Sequence, residues 1–203
     1  MMKARNMWVL LSIMMTLVTS SGVAYGCGTA LLVIDMQNFV FNPLSPFYTV
    51  TEAELILAVE ELLILAREAG LQIIYIRDVT QDAPQLDPVR FEVVEELAPQ
   101  EGDAVFTKVD VSAFSNDGLE EYLKSEGIRR LLLSGLSSEG AILYTLSEGR
   151  REGYDMLVVK DAHSAGRDVM IAKQYNNIWR SRGIGVEMMA DIDWAAFHCE
   201  RSS

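Results

Sequence analysis

The stretch LLLSGLSSEGAILYT (131–145) decides the architecture of this chain. Three consecutive leucines predict a buried strand, Gly135 ends that strand, and a helical pattern begins near Gly140. In a parallel α/β sheet, ligands bind where the carboxyl end of such a strand faces the start of the next helix. The first backbone N–H groups of a helix carry partial positive charge, which suits a carboxylate or a developing oxyanion. The turn that leads from Gly135 to Ala141 is therefore the first candidate site.

Strand and helix patterns alternate along the rest of the chain. Apolar runs predict further strands over 30–34, 71–76, 104–107, 156–159 and 184–188. Helical spacing predicts helices over 52–69, 119–125, 141–151 and 169–180, with a short helix over 91–97. The apolar runs are continuous, which is typical of strands that are buried on both faces. We expect a three-layer α/β fold, a mostly parallel sheet with helices on both faces.

The composition of the chain limits which kinds of molecule the protein is expected to bind. The chain has 203 residues, half of them hydrophobic, which is enough for one domain with a sizeable core. Its net charge is −12 and its basic residues form no cluster, so nucleic acid and an anionic membrane surface are poor candidates. The simplest explanation of the acidity is solubility, and a small molecule is the expected substrate.

The first 26 residues have the layout of a secretory signal. A basic start, an apolar run over 7–18 and small residues before Cys27 give this pattern. The run is shorter than the roughly 20 apolar residues that a membrane span needs. We expect a signal peptide at 1–26, one domain at 27–203, and export to the periplasm or medium without a stable membrane span after cleavage. An uncleaved anchor is the alternative.

Cys27 and Cys199 are the two cysteines of the chain. In an exported protein they have three possible states: a disulfide that ties the two ends together, free thiols, or a lipid anchor on Cys27. The residues before Cys27 fit a lipoprotein signal poorly, so the anchor is the least favoured of the three. Two cysteines at opposite ends of the chain do not make a zinc site.

Polar side chains follow three of the predicted strands. Asp35 follows the strand at 30–34, Lys108 follows 104–107, and the turn 137–141 follows the central strand. Strand ends at one edge of a parallel sheet converge, so a carboxylate, an ammonium and a helix start would share one crevice. Partial burial would raise the pKa of Asp35 and let it move a proton, while Lys108 steadies an anion. Taken singly, the aspartate would be a cap and the lysine a solvated side chain.

Four segments of the chain resemble the isochorismatase-like hydrolase family, also called the cysteine hydrolase family. They are LLVIDMQNFVF (31–41), GDAVFTKVDVSAFSNDGLEEYLKSEGI (102–128), LLLSGLSSEGAILYTLSEGRREGYDMLVVKDAHSA (131–165) and NNIWRSRGIGVE (176–187). The resemblance implies the Rossmann-like fold of that family, a hydrolytic activity on small molecules and a homo-oligomer. It also implies a non-proline cis peptide at Leu136–Ser137.

The resemblance assigns site residues as well. The family's catalytic aspartate falls on Asp35, its lysine on Lys108, and its nucleophilic cysteine on Ala141. The backbone N–H groups of Ala141 and Ser137 fall where the family's nucleophile site has its amides. The remaining candidates for substrate contact are Gln37, Ser137, Ser138 and Gly140 in the motifs, with Phe41 and Phe114 as walls or as core residues.

Alanine at position 141 departs from the family pattern and closes the thioester route. Three explanations stay open at this point. The cysteine was replaced in the laboratory, or the chain is a natural non-covalent hydrolase, or it is an inactive relative that binds a ligand. Under the second explanation the protein would resemble true isochorismatases, which carry a small residue at this position and protonate a vinyl ether with the aspartate. Ser137 and Ser138 are expected to be N-caps rather than substitute nucleophiles.

No cofactor or metal is expected. Relatives that bind metal use histidines after the second strand, whereas residues 75–82 here contain none. His163 could line the pocket rim, but a surface or hydrogen-bonded histidine is favoured, and His198 is expected to be structural. Two functions remain: an exported hydrolase of a small amide or vinyl ether, and a silent protein that binds a small carboxylate or amide.

Overall fold

The computed structural model describes residues 28–45, 48–79 and 88–197. Several sequence-based expectations fall outside these residues, namely the signal peptide, the states of Cys27 and Cys199, and the role of His198. They remain predictions. The segments that carry the family resemblance lie inside the described residues.

In the described part of the chain, six parallel strands form one sheet in the order β3-β2-β1-β4-β5-β6. They are β1 (Thr29–Ile34), β2 (Gln72–Asp78), β3 (Ala104–Lys108), β4 (Arg130–Gly135), β5 (Asp155–His163) and β6 (Gly185–Glu187). The strand order reverses between β1 and β4, which is the point where ligands bind in such sheets. The predicted parallel α/β fold is confirmed.

Four α-helices cover the two faces of the described sheet. They are α1 (Glu52–Glu68), α2 (Asp117–Ser125), α3 (Leu143–Arg151) and α4 (Val169–Ser181). Alternate residues of β1 serve the two faces: Leu31 shares a hydrophobic cluster with Leu62 of α1, and Leu32 shares one with Trp179 of α4. Each such side chain contributes about 1.5–3 kcal/mol when it is fully buried. Within the described ranges, no helix combines the length and the apolar character of a membrane span.

Two predicted elements differ in the structure. The region predicted as a helix over 91–97 forms two 3₁₀ turns, Pro88–Phe91 and Glu95–Leu97. Between them Val93 pairs with Gln37 in an antiparallel bridge, and that extended backbone excludes a continuous helix. Strand β5 is also longer than predicted, so Asp161 lies within it and its carboxylate accepts a hydrogen bond from the Met189 amide at 3.0 Å.

The turn after β4 is tighter and more irregular than the sequence predicts. Gly135 has φ +100°, and a Cβ there would lie 2.1 Å from the Ile34 carbonyl oxygen, so only glycine lets β4 end this close to β1. The Leu136–Ser137 peptide bond is cis. A turn over Ser138–Ile142, kinked at Gly140 where φ is −118° and ψ is −110°, follows before α3 begins at Leu143, two residues later than predicted.

Candidate active site

Lys108 ends strand β3 and points into the protein with its ammonium between two carboxylates. Its Nζ lies 3.1 Å from Asp35 Oδ2 and 3.3 Å from Asp78 Oδ2. It also donates a hydrogen bond of 3.4 Å to the Asp110 carbonyl. Only 2% of the lysine is exposed. The simple alternative of a solvated strand-end lysine is therefore wrong, because the charge is buried and held by ion pairs.

Asp35 follows β1 in an unusual backbone conformation. Its φ is 54°, a left-handed value that is uncommon outside glycine and occurs at functional sites. Its amide donates to the Ile76 carbonyl at 2.9 Å. Burial raises the pKa of Asp35 to about 7; Lys108 lowers it and Asp78 adds to the rise. Asp35 Oδ1 is buried and has no hydrogen-bond partner among the described residues. This carboxyl group is suited to exchange a proton near neutral pH.

Sheet register explains why these three side chains meet. Asp78 and Lys108 are partners in the pairing of β2 with β3, while Asp35 directly follows the adjacent strand β1. The sequence pattern did not place Asp78 in the crevice, because the apolar run of β2 ends at Ile76. The strand continues for two residues beyond that run and carries Asp78 to the same edge.

A cavity of about 470 Å³ opens at this edge of the sheet. Its lining includes Asp35, Asp78 and Lys108 together with Ser137, Gly140 and Ala141 of the turn. The structure thus brings the carboxylate, the ammonium and the helix start into one cleft although they are far apart in sequence. Ala141 is almost fully buried and presents only a methyl group there.

Three buried side chains form a hydrogen-bonded network that holds the turn from the interior of the protein. Ser138 Oγ lies 2.9 Å from His163 Nδ1, and His163 Nε2 lies 3.0 Å from Asn176 Oδ1. Because the Asn176 oxygen only accepts, Nε2 carries the proton and Ser138 donates to Nδ1. Burial lowers the pKa of His163, with Asn176 and Asp161 acting in the opposite direction.

The structure corrects the expectations for Ser138, Ser137 and His163. Ser138 is fully buried and bound to His163, so it neither caps the helix nor faces a substrate. Ser137 occupies the N-cap position without a side-chain capping bond. His163 is hydrogen-bonded, as one alternative expected, but it lies in the interior instead of at the rim.

Three other candidates for substrate contact lie outside the cavity lining. Gln37 is fully buried; its Nε2 donates to the Phe91 carbonyl at 2.7 Å and its Oε1 accepts from the Asp78 amide at 2.7 Å. Phe41 packs in the core cluster with α1, and the ring of Phe114 contacts Tyr154. Gln37 thus supports the backbone of Asp78, and the two aromatic rings contribute to packing.

The cavity lining also includes three charged residues that the sequence did not single out, namely Asp110, Glu139 and Arg167. Glu139 Oε1 accepts a hydrogen bond from the Gly166 amide at 3.2 Å, and Arg167 Nη2 donates to the Ser45 carbonyl at 3.4 Å. Glu139 lies within the motif that carried the resemblance, but nothing in the spacing distinguished a cavity-lining glutamate from a solvated one. No group of three or more potential metal ligands occurs in the described ranges, and the Lys108 ammonium holds the position between Asp35 and Asp78.

A parallel sheet with this strand order and a polar cleft at its switch point defines a three-layer α/β domain of the Rossmann-like class. The family model for the isochorismatase domain matches residues 29–187. The chain therefore belongs to the isochorismatase family.

Relatives with known names support this membership. The chain is 30% identical over 157 residues to the ureidoacrylate amidohydrolase RutB of Caulobacter segnis, over 60% of this chain and 66% of that protein. Among solved structures, an isochorismatase family protein from Desulfovibrio vulgaris superimposes with a TM-score of 0.74 at 25% identity, over 82% and 96% of the two chains. N-carbamoylsarcosine amidase from Thermoplasma acidophilum superimposes with a TM-score of 0.67 at 26% identity, over 81% and 98%. The chain thus spans about two thirds of the length of RutB.

Proposed function

We propose that this protein is a hydrolase of a small amide-type or vinyl-ether substrate, with Asp35 as acid and base and Lys108 as its electrostatic partner. The observation that carries the proposal is the state of Asp35. Its Oδ1 is buried without a partner in the described structure, and its pKa is raised to about 7 in a cavity of small-molecule size. A group with this pKa can both take up and release a proton at neutral pH.

The named relatives favour the amide-type substrate. RutB is named as an amidohydrolase and the Thermoplasma protein as an amidase, so both names describe hydrolysis of a C–N bond. Because Ala141 has no nucleophilic atom, the amide reaction proposed here uses water directly. Asp35 takes a proton from the water as the oxygen adds to the carbonyl carbon. It then returns that proton to the nitrogen as the C–N bond breaks, giving a carboxylic acid and an amine.

Ala141 in the turn and Lys108 each stabilise a negative charge during this reaction. Ala141 lines the cavity, and its backbone amide is the proposed hydrogen-bond donor to the developing oxyanion. Lys108 stabilises the carboxylate form of Asp35 and keeps its pKa from rising further.

In the vinyl-ether route the same aspartate first donates a proton, whereas in the amide route it first accepts one. Protonated Asp35 would add its proton to the vinyl carbon, water would add to the resulting cation, and the hemiketal would collapse to a ketone and an alcohol. One water is consumed and the carboxyl group is restored to its starting form. The two routes need opposite protonation states of Asp35, which makes them separable by pH.

The second candidate is a protein that binds a small carboxylate or amide without turnover, and the observation that favours it is the alanine at position 141. The deciding experiment incubates the wild type, Ala141→Cys and Asp35→Asn with a panel of small amides and with isochorismate. Turnover by the wild type that Asp35→Asn abolishes supports the hydrolase. Absence of turnover by the wild type, together with a thermal shift caused by one of the compounds, supports the binding protein.

Export and self-association are proposed on separate grounds. The pattern of residues 1–26 supports a cleaved signal, and the family resemblance supports a homo-oligomer. Expression of the full chain in a bacterium, followed by mass spectrometry of the N-terminus and light scattering, tests both. Cleavage before Cys27 and a mass above that of one chain are expected; an intact N-terminus or a monomer contradicts the respective proposal.

A further inference from the structure

One carboxylate oxygen in the cavity lacks a hydrogen-bond donor. Glu139 Oε1 accepts from the Gly166 amide at 3.2 Å, whereas Oε2 is buried and has no partner in the described ranges. An ionised carboxylate can only accept hydrogen bonds, and a buried acceptor that stays unsatisfied is costly. The side chain is thus held in one orientation by its first oxygen while its second remains available.

Neither cation that lines the cavity donates a hydrogen bond to Oε2 in the described structure. The Lys108 ammonium lies between Asp35 and Asp78, and the Arg167 guanidinium donates to the Ser45 carbonyl at 3.4 Å. Both cations line the same cavity as Glu139. A donor that satisfies Oε2 is therefore best supplied by a molecule that occupies the cavity.

We propose that Glu139 determines substrate specificity by accepting a hydrogen bond from an N–H group of the substrate. This inference rests on the proposed function and selects its amide branch, because an amide or ureido nitrogen carries hydrogens whereas a vinyl-ether oxygen has none. Glu139 and Ala141 are two residues apart on one turn that lines the cavity. A single amide group in the cavity can thus offer its carbonyl oxygen to the Ala141 amide and its nitrogen to Glu139.

The test compares two neutral probes of nearly equal shape. Benzamide and acetophenone differ in an NH₂ group in place of a methyl group. Their dissociation constants are measured by NMR titration on the wild type and on Glu139→Gln. The Gln variant retains a carbonyl oxygen for the Gly166 amide and replaces Oε2 with an NH₂ group that cannot accept. The same spectra record any benzoate formed, so failure of the proposed hydrolysis is seen separately from failure of binding.

The wild type is expected to bind benzamide at least ten-fold more tightly than acetophenone, since a hydrogen bond to a charged acceptor is one of the stronger kinds. In Glu139→Gln the ratio is expected to fall below three-fold, with the affinity for acetophenone nearly unchanged. Glu148→Gln on the outer side of α3 is the matched control and should retain the wild-type ratio. An unchanged ratio in Glu139→Gln, or no binding of benzamide by the wild type, overturns the inference.

Discussion

Lys108 Nζ lies 3.1 Å from Asp35 Oδ2 in the interior of the protein, and the same nitrogen lies 3.3 Å from Asp78 Oδ2. One buried cation thus lies between two carboxylates. Burial and the charge of Asp78 together oppose ionisation of Asp35, and Lys108 offsets only part of this effect. The pKa of Asp35 is consequently raised to about 7, so this carboxyl group can hold a proton near neutral pH.

The pH profile of activity is expected to identify the direction of proton transfer. If the substrate is an amide, ionised Asp35 must accept a proton, so kcat/KM rises with pH and levels off above about pH 7. If it is a vinyl ether, the protonated form is active and kcat/KM falls above the same pH. Initial rates from pH 5 to 9 give the profile. A profile without an inflection near pH 7 contradicts the assignment of Asp35.

Removal of the Lys108 ammonium is expected to destabilise the protein strongly. Lys108→Met leaves two carboxylates facing each other in the interior, and loss of one partner of a buried pair costs about 3–5 kcal/mol. The pKa of Asp35 should rise further, because its main opposing charge is gone. Urea denaturation measures the loss. Lys124→Met is the matched control, since that lysine is exposed on α2 and should have little effect; equal effects of the two variants would argue against a buried charge cluster.

The alanine at position 141 predicts hydrolysis without an acyl-enzyme. Intact-protein mass spectrometry during turnover should detect no covalent adduct on the wild type. Ala141→Cys should acquire one acyl group that maps to position 141, because a thiolate there faces the same cavity. Ala141→Ser controls for size with a weaker nucleophile. An acyl adduct on any residue of the wild type would contradict the direct use of water.

The interior chain behind the turn predicts a second pH effect, on stability. His163→Leu leaves Ser138 and Asn176 unpaired, at about 1–3 kcal/mol for each buried group left unsatisfied. Burial lowers the pKa of His163 in the folded state, so protons bind preferentially to the unfolded state as the pH falls below the ordinary value of 6.5. The stability advantage of the wild type over His163→Leu should therefore be largest above pH 6.5 and shrink in acid. Urea titrations at several pH values measure it, and a difference that does not vary with pH counts against a neutral buried histidine.

The backbone of the site was largely predictable from sequence. Continuous apolar runs identified the parallel strands, and the convergence of strand ends placed Asp35, Lys108 and the turn before Ala141 in one crevice, as the structure shows. These predictions succeed because burial on both faces and parallel pairing depend on patterns that extend over many residues.

The side chains that complete the site were harder to predict. Asp78 reaches Lys108 because β2 continues for two residues beyond its apolar run. Ser138 points inward to His163 because β5 extends as far as His163. Gln37 lies in the motif two residues after Asp35, but its side-chain amide is bound to the Phe91 carbonyl and the Asp78 amide. Such orientations depend on where each strand ends, to within one or two residues, and the apolar pattern does not fix that point.

The central claim is that Asp35 exchanges its proton near neutral pH. An NMR titration of the aspartate side-chain carboxyl carbons, with Asp35→Asn used to assign the signal, tests it directly and needs no substrate. The expected result is an Asp35 pKa of about 7. A midpoint close to the ordinary value of 3.8 would show a permanently ionised carboxylate that serves only as a counterion for Lys108, and it would contradict the acid–base role.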